Sequence, residues 1–147
     1  MKRLVTWTIL VALLGFAGTS TATSDKPFFS ISATPDELDL GTANFFAGVH
    51  EVPSAVTVNV ESNCWHGPVT ISITPLERRG GGRIKPDDIF VRATGMGHYV
   101  SLKKPVVIVP TSAGPQKTVL DFKVNAEANN PSGHYTGLIV LTIMPPV

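Results

Sequence analysis

Apolar and polar residues alternate in several short windows of the chain. In Val56–Glu61, the valines at 56, 58 and 60 alternate with Thr57, Asn59 and Glu61. Val69, Ile71 and Ile73 alternate with Thr70, Ser72 and Thr74, and Leu120, Phe122 and Val124 with Asp121, Lys123 and Asn125. A period of two places one set of side chains on each face of a strand, so these windows predict antiparallel strands with one buried and one wet face. Further strands are predicted near Phe28, from Asp88, from His98, from Pro105 and from His134. The last differs: Leu138, Ile139, Val140 and Leu141 form an unbroken apolar run, which predicts a strand covered on both faces.

No window carries the apolar spacing of a long amphipathic helix, and proline recurs from Pro27 to Pro146. Proline donates no backbone hydrogen bond, so it punctuates strands and turns. The pattern predicts an all-β antiparallel sandwich of seven or eight short strands, in one domain over 28–147.

The first residues have another logic. Lys2 and Arg3 precede an uncharged stretch from Leu4 to Ala17, and Ser20 and Ala22 occupy the −3 and −1 positions of a cleavage site. That layout is a secretory signal over 1–22, followed by a short linker over 23–27. It predicts a secreted, periplasmic or surface protein with no permanent membrane span once the signal is removed. Without Lys2 and Arg3 the 12 basic residues fall to 10, against 11 acidic ones, so the charge moves from +1 to −1. Nucleic-acid binding requires an excess of clustered cations, and none is present. The chain holds one cysteine, so it forms no internal disulfide.

That cysteine sits in Cys64–Trp65–His66, within a predicted connection from Asn63 to Pro68. In an extended segment the Cys64 and His66 side chains share a side, the geometry of a thiol and its base. Catalysis also needs an oriented base and an oxyanion site, and no signature of either is present. His50, His66, His98 and His134 lack metal-ligand spacing. No catalytic residue, metal or cofactor is therefore assigned. The expectation is a turn in which Trp65 caps the core beside a small buried Cys64; the alternative is an intermolecular thiol at Cys64. Arg78, Arg79, Arg83 and Lys85 surround three glycines in a predicted loop. It lacks the Lys-Ser/Thr and following helix of a phosphate cradle, but offers a candidate grip on an anionic polymer or partner. Phe28, Phe29, Phe45 and Phe46 are expected to close the core, the alternative being a strand donated to a neighbouring subunit.

The ending Asn130–Ile143, NPSGHYTGLIVLTI, resembles the last strand of secreted bacterial immunoglobulin-like domains, including spore-coat-U-like and fimbrial-subunit-like ones. Leu38–Gly41 and the strand at Val56 are similar to their first strands. The resemblance implies an immunoglobulin-like sandwich. The lone cysteine and the ending MPPV depart from the fimbrial pattern. Independently, Pro131 and Gly133 fit a turn, and Tyr135 is expected to plug one end with its hydroxyl bonded near the rim. Together these features predict a non-catalytic structural or interaction module of the cell envelope, with envelope or surface proteins, or a second copy, as partners. The alternative is a binding module for a carbohydrate or anionic ligand, contacting it through Arg78, Arg79, Arg83, Lys85, Trp65 and His66.

Overall fold

A computed structural model of the chain describes residues 26–43, 48–127 and 129–144. The expected signal, most of the linker, and Phe45 and Phe46 lie outside the described residues. The described chain is all-β and its paired strands are antiparallel. Among the described residues, no helix is long and apolar enough to cross a membrane.

Among the described residues there are thirteen strands: β1 Phe29–Thr34, β2 Glu37–Ala43, β3 Val49–Ser62, β4 Trp65–His66, β5 Val69–Ile73, β6 Leu76–Arg78 and β7 Arg83–Ile84, then β8 Ile89–Ala93, β9 Val100–Ser101, β10 Val106–Val109, β11 Ser112–Ala113, β12 Gln116–Asn125 and β13 Gly133–Ile143. Seven or eight short strands were too few, and three are long: β3, β12 and β13 run 14, 10 and 11 residues. One sheet has the order β1-β3-β12-β8-β9. The other has the order β10-β5-β13-β6-β7, with β2 also on β13. A small ladder joins β4 to β11.

The alternating windows lie as expected. Val56, Val58, Leu120, Phe122 and Val124 of the first sheet meet Ile71, Ile73, Leu76, Leu38 and Tyr135 of the second in one core. Each of these side chains is buried, and each buried aliphatic or aromatic group contributes roughly 1.5–3 kcal/mol relative to exposure.

Two local features explain where windows break. Between β5 and β6, Pro75 cannot donate to β13. Thr74 compensates: its N–H donates to Leu138 O at 3.0 Å, and its hydroxyl accepts from Leu138 N at 2.9 Å. Within β3, Pro53, Ser54 and Ala55 form a bulge opposite Asp121, and Ser54 adopts φ 49°. Asp121 Oδ1 accepts the Ser54 N–H at 2.8 Å, so the sequence change that bends β3 is matched by a carboxylate on β12.

The run in β13 corrects the expectation of burial on both faces. Leu138 is 57% exposed and Val140 45% exposed, while Tyr135 and Gly137 are buried. β13 is central in its sheet, with β2 on one edge and β5 and β6 on the other, but nothing described covers its outer face. Apolar composition had mimicked a doubly covered strand. Leu138→Thr and Val140→Thr are therefore expected to change the unfolding free energy by no more than about 0.5 kcal/mol, checked by urea denaturation. A loss above about 2 kcal/mol would show that the outer face is covered.

Candidate functional site

The Cys64–Trp65–His66 stretch is not a simple turn. After a bend at Asn63 and Cys64, Trp65 and His66 form β4 and pair with Ala113 and Ser112. Trp65 is 68% exposed and does not cap the core. His66 is buried instead. Its Nδ1 lies 2.7 Å from Gly67 O, which fits an N–H donating to that carbonyl, and Nε2 lies 3.3 Å from Ser112 Oγ. Gln116 Nε2 donates to the same serine oxygen at 2.8 Å. This network ties β4 to β11 and gives both imidazole nitrogens partners other than the thiol. Cys64 is half-buried, with Sγ 3.6 Å from Phe28 O and 3.8 Å from Ser62 Oγ.

The basic segment is a hairpin rather than a loose loop. β6 and β7 pair through Leu76 with Ile84 and Glu77 with Arg83. Gly80, Gly81 and Gly82 all take positive φ in the turn between them. Arg78 is held within it: Nε donates to Gly81 O at 2.7 Å, and Nη1 lies 3.5 Å from Ser132 O. Arg79, Arg83 and Lys85 are exposed. The hairpin packs at the Gly133 end of β13, whereas Trp65 and His66 lie beside Met144 at the other, where Gly67 N–H donates to Met144 O at 3.1 Å. An eleven-residue strand spans roughly 33 Å. The two groups of candidate contacts therefore do not converge on one small ligand.

Tyr135 behaves as expected. It is fully buried, and its hydroxyl donates to Pro131 O at 2.8 Å. The hairpin closes over it, with Gly82 against the phenol oxygen.

Pattern reading missed a polar cluster on the outer face of the first sheet. Asp121 points outward from β12, yet is only 3% exposed. Its carboxylate accepts from Ser54 N, from Thr94 Oγ1 at 2.7 Å and from Arg92 Nε at 3.0 Å. The Ser54 N–H is the main cause that holds the Asp121 carboxyl below its ordinary value; the Thr94 hydroxyl and Arg92 act the same way against partial desolvation. The Arg92 guanidinium stacks 4.3 Å from the centre of the Tyr99 ring, and Lys123 Nζ lies 4.9 Å from that ring and 5.0 Å from Phe90. Desolvation raises the Tyr99 phenol, with Glu51 adding to the shift and Arg92 opposing it. The alternation of Asp121 and Lys123 with apolar neighbours was the available signal, but it reads as solvated face until Arg92 and Tyr99 arrive from β8 and the β8–β9 connection.

Among the described residues, no group of three His, Cys, Asp or Glu side chains could hold a metal ion. Compared with family models, curated proteins and solved structures, the chain matches none.

Several large apolar side chains stand exposed on edges and outer faces. Phe28 and Phe29 are 52% and 38% exposed, which corrects the expectation that they close the core. Val107, Leu138 and Val140 are exposed on the outer side of the second sheet. The candidate interaction surface is therefore the β1 edge with Phe28 and Phe29 and the outer face of the second sheet, not a cleft.

Proposed function

We propose that this protein is a secreted or cell-envelope module of immunoglobulin-like architecture that works by docking rather than by catalysis. The observation that carries the reading is the contrast between its reactive and its adhesive groups. The buried imidazole and the guanidinium of Arg78 are engaged in holding strands and hairpin together. Large apolar groups, in contrast, stand exposed along strands whose outer faces or edges have no described cover. Exposed apolar surface of this kind is a usual feature of protein–protein contact. The immunoglobulin-like assignment is supported by two sheets around one core and by a buried tyrosine whose hydroxyl returns to a carbonyl four residues upstream. Such a tyrosine corner is a device of that fold.

The test is fractionation of the native protein from its own cells. The expected result is a chain beginning at Thr23 that co-sediments with envelope material or elutes as an assembly. A processed protein that is monomeric, free of envelope material and thermally stabilised by a glycan or polyanion would overturn the docking reading in favour of the ligand-binding one.

A further inference from the structure

Edge strands carry unpaired N–H and C=O groups, and proteins ordinarily blunt them by shortness, charge, proline or bulges. Measured this way, the described edges of this protein are unequal. β7 and β9 are two residues each. β10 has a register shift between Val107 and Val109 and lies between Pro105 and Pro110. β2 carries Glu37 and Asp39, a register shift and Gly41 at φ 60°. β1 is flanked by Pro27 and Pro35 but has none of the other devices. Its six residues, FSISAT, pair with β3 in unbroken register and contain no charge, glycine or proline.

The direction of its free groups follows from its first contact. Phe28 N donates to Asn63 Oδ1, and Phe28 O accepts from Asn63 N, so Phe28 faces β3. Backbone direction alternates along a strand, so Ser30, Ser32 and Thr34 also face β3, while Phe29, Ile31 and Ala33 present their N–H and C=O outward.

We propose that β1 pairs antiparallel with β1 of a second copy, about a two-fold axis through Ile31. This rests on the docking reading and names its surface and partner. Three features select the register. Phe29 falls opposite Ala33 and Ile31 opposite itself, so bulky and small apolar groups alternate on the inner face. Ser30 falls opposite Ser32 on the outer face, as a non-hydrogen-bonded pair with its side chains close. Beyond the paired residues, Lys26 of each copy lies toward Asp36 of the other. Both are exposed, and neither is in an ion pair among the described residues. The uncharged edge thus pairs with itself without repulsion, and its flanking charges are complementary.

The experiment is sedimentation equilibrium of the exported protein across a wide concentration range, with two double variants. Ser30→Lys with Ser32→Lys sets lysine opposite lysine and is expected to raise the dimer Kd at least about tenfold. Ser30→Lys with Ser32→Glu sets opposite charges together, places the new lysine opposite Glu61 of its own chain, and is expected to restore Kd to within about threefold of wild type. Both pairs are exposed, so circular dichroism should show an unchanged fold. Reductant should leave the dimer intact, because the Cys64 residues lie near the two Phe28 ends, roughly 20 Å apart. A wild-type monomer at all concentrations, a dimer indifferent to both variants, or a dimer lost on reduction overturns the inference. If envelope association persists in any of those cases, the docking reading stands and only its assignment to β1 falls.

Discussion

Asp121→Ala is expected to lower the unfolding free energy by about 2–4 kcal/mol at neutral pH. Removing one partner of a buried, hydrogen-bonded pair costs roughly 3–5 kcal/mol, and Arg92, being 30% exposed, recovers part of that through water. Much of the loss belongs to β3, because the Ser54 N–H and the positive-φ bulge lose the group that holds them. The effect has a definite pH dependence. A carboxyl whose folded value lies below its ordinary 3.8 binds fewer protons when folded, so it stabilises the protein fully above that value. The contribution disappears as pH falls through the lowered folded value. Thermal melts of wild type and Asp121→Ala should therefore differ most at neutral pH and converge in strong acid. A difference that stays constant down to strong acid would show that the aspartate acts by packing alone.

Gly82→Ala is expected to destabilise by about 2–4 kcal/mol, and the loss should depend on one oxygen atom. Gly82 has φ 123°, a conformation that side chains resist. A Cβ there would also lie 2.6 Å from the Tyr135 hydroxyl oxygen and 3.2 Å from Cζ. The ring cannot retreat, because Tyr135 is fully buried. Tyr135→Phe removes the nearest atom and the 2.8 Å bond to Pro131 O, costing about 1 kcal/mol by itself. In that background Gly82→Ala should cost about 1 kcal/mol less than in wild type. Denaturant titration of the four proteins gives this coupling directly. Strict additivity would mean that the hairpin moves away from Tyr135 and that only backbone strain is felt.

The two sites differ in how far they could be read in advance. Tyr135 was legible: Pro131 and Gly133 mark a turn, and an aromatic residue with a polar tip fits the end of a core. Its contact with Gly82 was not, because these residues are 53 positions apart in sequence and meet only when β6 and β7 fold onto β13. Asp121 read as one more polar residue on a wet face. Its burial depends on a bulge in β3 and on Arg92 and Tyr99, all remote from β12. Trp65 was expected to cap the core and instead faces solvent while His66 is buried, since the β4–β11 ladder decides which of two neighbours turns inward. Leu138 and Val140 looked buried because composition reports hydrophobicity and not whether a second layer exists.

By itself the sequence determined the class of structure. Alternation with a period of two and recurrent proline leave little besides antiparallel strands, and the valines and leucines of those windows form the core. It also set the charge balance and the absence of an internal disulfide. Tertiary structure alone decided which outward side chains stay wet, which candidate contacts converge, and which edge is left without protection. Those properties depend on the register and order of strands distant in sequence, and a period of two specifies a face without naming the neighbour that covers it.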